Sequence, residues 1–298
     1  MGESTGQRWL RPCENDGAGT FVVRMIVFPH AKINLGLNVV RKRPDGYHDI
    51  QSVLVRIPLH DVLEAVLDPQ LPQGEVIFTR SGLPVPGDKE QDLCMRAVKS
   101  IPVTRKLPGL RLHLHKVIPM GAGLGGGSSD GAYTLRLVND LVGLGLGEAE
   151  LHDLAMELGS DCPFFLRNGP QLVEGRGDDM TPITLDLGGL WILLVNPGIH
   201  VPTAEVYRNT SPTGTSEDLR AILTENKPPE WSGLLHNRME PFVMAGHPAV
   251  TAIKDRSLEA GAIYAAMSGS GSTVMAIFDR PPPLLEWPAS HRTWVFRW

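Results

Sequence analysis

The chain has 298 residues, 42% hydrophobic and 20% charged, with a formal net charge of −5. These are globular values, and the length suffices for a large core and two domains. The negative balance argues against nucleic acid or other polyanions as partners, and no apolar run reaches the length of a membrane span. Three cysteines, Cys13, Cys94 and Cys162, lack metal-ligand spacing and point to a reducing compartment. Arg24 interrupts the only apolar stretch near the N-terminus, so no signal peptide is expected there and the protein is expected in the cytoplasm.

Met1 to Thr20 is polar, Gly-rich and without periodicity, and residues 1–24 are expected to be a disordered extension outside the fold. Ile26 to Phe28 begins the first strand. Ile33, Leu35, Leu37 and Val39 alternate with Asn34, Gly36 and Asn38, the pattern of a half-buried strand. Pro44-Asp45-Gly46 marks a basic turn between Arg41 and His48. Strands are expected at 53–59, 62–67 and 75–79, a short helix at 93–101 and an alternating strand at 110–117. A helix at 148–158 closes on Gly159. A turn at Asn168-Gly169-Pro170 suggests a domain boundary, giving domains 25–170 and 171–298. The second half reads as a strand at 190–195, helices at 203–208, 239–245 and 249–258, strands at 262–267 and 274–278, and a last short strand at 294–296. Residues 209–216 and 226–232 read as polar loops.

Between the strand at 110–117 and the next helix runs Pro119-Met120-Gly121-Ala122-Gly123-Leu124-Gly125-Gly126-Gly127-Ser128-Ser129-Asp130. Glycine opens positive φ and lets backbone N–H groups converge on one point. Leu135, Val138 and Leu141 continue at helical spacing, with Ser128, Ser129 and Asp130 as cap and first turn. A glycine loop leading into a helix N-terminus is an anion site, and a phosphate chain is the expected ligand. Gly121, Gly123 and Gly126 match the dinucleotide fingerprint, but a second helical pattern follows where that fold needs a parallel strand. Gly127 stands where a P-loop requires lysine, and the His-Arg-Asp and Asp-Phe-Gly signatures of protein kinases are absent from the sequence. A flexible linker is the bland alternative.

Lys32 and Lys116 are candidate cations for phosphoryl transfer, which depends on positioning and charge neutralisation. Lys32 taken alone reads as a solvated lysine at a strand end. Asp161 is a candidate base, or a cap of the turn that Pro163 begins. Ser128 and Ser129 offer hydroxyls to phosphate oxygens or Mg²⁺. Tyr47 and His48 alone read as turn-surface residues, and Ser268 to Ser272 as a hairpin turn.

Together the early lysine segment, the central Pro-x-Gly-x-Gly-Leu-Gly-Gly-Gly-Ser-Ser loop and the late Gly269-Ser270-Gly271 loop resemble the GHMP kinase superfamily. Ala31-Lys32-Ile33-Asn34-Leu35, Arg43 to His48, the triple glycine 125–127 and Gly159-Ser160-Asp161-Cys162-Pro163 look like the branch that acts on a cytidine-diphosphate-bearing methylerythritol in the non-mevalonate isoprenoid pathway. The resemblance implies a two-domain α+β fold, a ribosomal-S5-like ATP domain followed by a C-terminal α/β sandwich, with the active site in the cleft between them. It implies ATP and Mg²⁺, phosphorylation of a substrate 2-hydroxyl, and a monomer or weak homodimer. Lys32 and Asp161 would be catalytic. Lys116 and Pro119, Met120, Gly121, Ala122, Gly123, Leu124, Gly125, Gly126, Gly127, Ser128 and Ser129 would bind ATP. Asn34, Tyr47, His48, Thr203, Tyr207, Gly269, Ser270 and Gly271 would line the substrate site. Asp92 departs from the asparagine that relatives often carry before Leu93.

Overall fold

The computed structural model describes residues 23–214 and 218–298, and the backbone of residues 9–13 and 22. In chain order the strands are β1 (Trp9–Cys13), β2 (Val22–Val27), β3 (His30–Lys42), β4 (His48–His60), β5 (Val62–Leu67), β6 (Val76–Gly82), β7 (Leu110–Lys116), β8 (Gln171–Glu174), β9 (Asp179–Pro182), β10 (Trp191–Asn196), β11 (Tyr264–Met267), β12 (Val274–Phe278) and β13 (Arg292–Arg297). The α-helices are α1 (Leu93–Ser100), α2 (Gly126–Val142), α3 (Glu148–Leu158), α4 (Thr203–Asn209), α5 (Leu219–Glu225), α6 (Glu240–Gly246) and α7 (Pro248–Glu259). No helix among the described residues is long and apolar enough to cross a membrane.

The chain divides into two compact units that are not consecutive. The first holds residues 1–31, 59–120 and 126–168; the second holds 32–58, 121–125 and 169–298. The change of unit at Asn168 lies beside the turn noted in the sequence. These units differ from the expected layout of two successive domains, because β3, most of β4 and the middle of the glycine run belong to the second unit. The cause is hydrogen bonding far along the chain: β4 pairs with β8, and the 121–125 backbone bonds to residues near 270.

In the first unit a sheet of order β1-β2-β5-β7-β6 is antiparallel except for the parallel β6–β7 pair. Leu110, Leu112 and Leu114 point inward from β7, each 1% exposed or less, in the two-residue alternation of a strand with one covered face. Helix α2 packs against β2 and β5 and is flanked by α1 and α3. Gly131 permits the close α1–α2 approach, since a β-carbon there would lie 3.1 Å from that of Leu93. Helix α1 starts on Asp92, whose carboxylate accepts from the Cys94 N–H at 3.0 Å and from Arg80 at 3.2 Å.

The second unit contains a sheet of order β3-β4-β8-β9 and an antiparallel sheet of order β11-β12-β10-β13. Its core joins Leu37 and Val39 of β3, Leu193 and Val195 of β10 and Val274, Ala276 and Phe278 of β12 to Val206, Val243 and Ile253 from three helices. Helix α5 was not expected. It begins on Asp218, which accepts from the Ala221 N–H, and it is too short for a periodic signal.

The expectation of a disordered 1–24 segment fails at 9–13 and 22–24, which lie in strands; the remaining residues of that segment fall outside the described residues. β1 pairs with β2 from Trp9 opposite Ile26 to Cys13 opposite Val22. Its Pro12 fits an edge strand, where one side needs no N–H donor. A chain beginning at Met25 loses β1 and half of β2. Its melting midpoint should fall by roughly 4 °C or more, the effect of about 1–2 kcal/mol in a chain of this size. An unchanged midpoint would show that the β1 pairing adds nothing to stability.

Candidate functional site

Strand alternation places Lys116 in phase with Leu110, Leu112 and Leu114, so its side chain enters the interior of the first unit. It is 1% exposed. Its ammonium donates to Asp61 Oδ2 at 2.5 Å and to Asp130 Oδ2 at 2.5 Å. Asp61 also accepts at Oδ1 from the N–H groups of Val117 at 2.6 Å and Ile118 at 2.8 Å. Lys116, expected to touch the phosphates, is therefore engaged inside the fold. A buried ammonium needs carboxylate partners there, and two are supplied.

Two carboxylates against one ammonium leave one negative charge too many in a dry site. Asp61 accepts three hydrogen bonds, from Lys116 and from the Val117 and Ile118 N–H groups. Asp130 Oδ1 has no partner. Burial, then the charge of Asp61, pushes the Asp130 carboxyl well above its ordinary range, against the pull of Lys116. The folded chain thus holds a proton that the unfolded chain releases above about 3.8. That linkage makes wild-type stability fall as pH rises from there toward the raised native value. Asp130→Asn removes the titration, so its stability relative to wild type should improve as pH is raised from about 4. Melting midpoints that run parallel across pH would contradict a protonated Asp130.

In the first unit the glycine run continues as α2, which begins at Gly126, two residues before the expected cap. The first N–H groups of any helix lack partners within it. Gly126 is pressed into the structure: a β-carbon there would lie 2.8 Å from Ile118 and 3.0 Å from Lys116 Nζ. The Ser129 hydroxyl is buried without a hydrogen-bond partner, as suits a group that donates to a bound anion. Ser128 lies against Cys162, whose thiol burial pushes up to about 12, leaving it inert. Asp161 precedes the 3₁₀ turn Cys162–Leu166, yet its side chain makes no capping bond to that turn. The cap reading from the sequence is therefore not what the geometry supports.

In the second unit Gly121, Gly123 and Gly125 all have positive φ, between 62° and 77°. The late serine-glycine loop and β3 hold this backbone. Thr273 N–H donates to the Ala122 carbonyl at 3.2 Å, Ser268 Oγ to the Gly123 carbonyl at 2.8 Å, and Lys32 N–H to the Leu124 carbonyl at 2.9 Å. A β-carbon at Gly123 would sit 1.9 Å from the Ser268 carbonyl oxygen, and one at Gly121 2.2 Å from His200 Nδ1. Lys32, 4% exposed, donates from Nζ to Asn34 Oδ1 at 2.6 Å; Asn34 donates to Ser52 Oγ at 2.8 Å, and Ser52 to the Gly36 carbonyl at 2.6 Å. Gly269 covers this chain, since a β-carbon there would lie 3.2 Å from Lys32 Nζ. Asn237 steadies the same loop by donating to the carbonyls of Met267 and Gly269 at 2.7 and 2.8 Å.

Ser270 Oγ and Thr203 Oγ1 are 2.9 Å apart. The rings of His48 and Tyr207 stack with centroids 5.2 Å apart and planes 24° from parallel. Burial, then the charge of Lys42, lowers the His48 pKa and favours its neutral ring. Tyr207 also packs on the core of the second unit. Tyr47 is 62% exposed, with the Arg176 guanidinium 5.5 Å above its ring. Thus Lys32, Asn34 and Gly269 gather in one place, Thr203 and Ser270 in contact, and His48 and Tyr207 in another contact. Sequence reasoning passed over Asp61, Ser52, His200 and Asn237, and read Asp130 only as a residue of the helix cap and first turn. Lys116 carried the one usable signal: a lysine on the apolar phase of a strand demands a buried acid.

The glycines differ in what they tolerate. Gly123→Ala forces a methyl group onto a carbonyl at a positive φ, and the melting midpoint should drop. Gly127→Ala meets nothing nearer than the flexible Met120 end at 3.4 Å and gains helix propensity, so its midpoint should hold or rise. Equal losses would mean that the Ser268 contact does not constrain Gly123.

The family model for the GHMP kinases N terminal domain matches residues 92–169, and the GHMP kinases C terminal model matches residues 217–284. The 4-diphosphocytidyl-2-C-methyl-D-erythritol kinase of Parabacteroides distasonis is 44% identical over 257 residues, 86% of this chain and 93% of that protein. The enzyme of the same name from Cytophaga hutchinsonii is 44% identical over 87% of this chain and 94% of its own length. A crystal structure of 4-(cytidine 5'-diphospho)-2C-methyl-D-erythritol kinase matches with a TM-score of 0.71 at 28% identity, covering 91% of this chain and 98% of the other. With its two-domain α+β fold, the chain belongs to the GHMP kinase family.

Proposed function

We propose that this kinase transfers the γ-phosphoryl group of ATP to the 2-hydroxyl of 4-diphosphocytidyl-2-C-methyl-D-erythritol, a step of the non-mevalonate isoprenoid pathway. The observation that carries the catalytic part is the Lys32 ammonium, 4% exposed and held by Asn34 Oδ1 at 2.6 Å, a buried and oriented positive charge of the kind phosphoryl transfer needs. Asp161 takes the hydroxyl proton as the oxygen attacks phosphorus. Lys32 supplies positive charge where the nucleophile becomes anionic, held in one orientation by Asn34. The backbone of 119–129 receives the phosphates, for which the positive-φ glycines and the unpartnered Ser129 hydroxyl are suited. Mg²⁺ travels with the nucleotide, and Ser128 and Ser129 are the hydroxyls available to it. Among the described residues no cluster of three or more His, Cys, Asp or Glu offers a resident metal site.

Tyr207 and His48 support recognition of a nucleobase, with Tyr47 next to His48 in sequence and Thr203, Ser270, Gly269 and Gly271 assigned to the sugar chain. A ring already packed on one face loses little entropy when a base stacks on it, and such a stack is worth roughly 1–3 kcal/mol. The relatives named above carry the substrate assignment.

A coupled ADP-release assay tests the reading. Turnover is expected with 4-diphosphocytidyl-2-C-methyl-D-erythritol and not with homoserine or mevalonate; the reverse order would replace the substrate. Asp161→Asn should lower turnover roughly 10²–10⁴-fold while leaving ATP binding nearly unchanged. Tyr207→Ala should raise KM for the cytidine substrate about 5- to 150-fold, and Tyr207→Phe should stay close to wild type. Turnover within a few-fold of wild type for Asp161→Asn would remove Asp161 from the chemistry.

A further inference from the structure

The buried trio of Asp61, Lys116 and Asp130 has no part in the chemistry above, yet it lies at both ends of the glycine run. Lys116 is the last residue of β7, and Asp61 holds the next two N–H groups of the chain, those of Val117 and Ile118. Asp130 lies one turn into α2. Ile118 and Gly126 come within contact distance, and Lys116 Nζ lies beneath Gly126. Residues 119–125 therefore depart from and return to one place, and a single ammonium joins the departing strand to the receiving helix.

We infer that Lys116 is a positioning residue for the nucleotide phosphates: bonded to Asp61 on one side and Asp130 on the other, it fixes the separation and angle of the two ends that the glycine run spans. This rests on the reading of 119–129 as the phosphate cradle. Backbone N–H groups at a loop and helix start bind phosphate only when their directions converge, so a small shift of α2 against β7 weakens every bond at once. Lys116 itself has no surface left for the ligand, its side chain being 0% exposed.

The inference separates from a direct phosphate–lysine contact through Asp130. A direct contact predicts that removing the Asp130 carboxyl frees the ammonium and leaves ATP binding equal or tighter. The positioning role predicts that Asp130→Ala cuts one tie and weakens it, whereas Asp130→Asn retains an oxygen acceptor and preserves it. The full-length protein is titrated with Mg-ATP, with KM values for ATP and for the cytidine substrate measured alongside. Asp130→Ala should raise the ATP dissociation constant about tenfold, equivalent to about 1.4 kcal/mol, and Asp130→Asn should stay within about twofold. The charge-balanced pair Lys116→Met with Asp61→Asn guards against simple unfolding. It should melt as a cooperative protein, show faster amide exchange at 117–127 without nucleotide, and bind ATP at least about tenfold more weakly, with KM for the cytidine substrate unmoved. ATP affinity and amide exchange equal to wild type in these folded variants would overturn the inference and leave the cradle reading standing. A wild-type protein that fails to bind Mg-ATP would overturn both.

Discussion

An ammonium taken out of water is the constraint to which the first unit answers. Lys116 cannot be solvated from the inward side of β7, so carboxylates must come to it. One comes from the start of β5 and the other from α2. Removing one partner of such a buried pair leaves an uncompensated charge and costs about 3–5 kcal/mol, while an apolar replacement of the whole set is often neutral. Stability alone therefore does not account for three ionisable groups where leucines would pack. Geometry does: a hydrogen-bonded ammonium defines direction as well as distance, and a greasy contact defines neither as sharply.

The second unit meets a related need with backbone. Gly123 approaches the Ser268 carbonyl so closely that no side chain fits, and three hydrogen bonds from Thr273, Ser268 and Lys32 hold the segment. The same Lys32 that donates its N–H to Leu124 carries an ammonium bonded to Asn34. One residue thus ties the glycine segment to β3 and holds a buried ammonium beside it, the charge that the proposed transfer would use. Residues 122–124 are held by atoms far away in sequence, at Lys32, Ser268 and Thr273, whereas Gly126 packs on Ile118 and Lys116 nearby, which is why the run divides between the two units.

Much of this was legible because it is local. The alternation at 110–116, the helical spacing after the glycines and the turn at 44–46 are properties of adjacent residues. So is the family pattern, which rests on short ordered motifs. What could not be read is what depends on distant pairing. The discontinuous units follow from the β4–β8 ladder and from the bonds of 121–125 to the loop at 268–273. The strand at 9–13 owes its form to its partner β2 rather than to its own short, proline-containing sequence. Asp61 and Asp130 looked ordinary because an acid in a turn or a first helical turn usually faces water. Only the phase of Lys116 on its strand hinted otherwise.

In Tyr207 a structural role and the proposed recognition role fall on one side chain. Its ring packs on the core that contains its neighbour Val206, and it also stacks on His48. These are not competing accounts. A ring free to rotate would lose entropy each time it met a base, and the loss would offset part of the stack. A ring already held by Val206 and the strands beneath it has little freedom left to lose. The neutral form of His48, favoured by burial and by Lys42, suits the same task, since an uncharged imidazole stacks without the hydration an imidazolium would retain. In the proposed recognition, packing on the core would thus make the ring a usable platform, and selectivity would follow from the rigidity of its apolar support as much as from the polar groups around it.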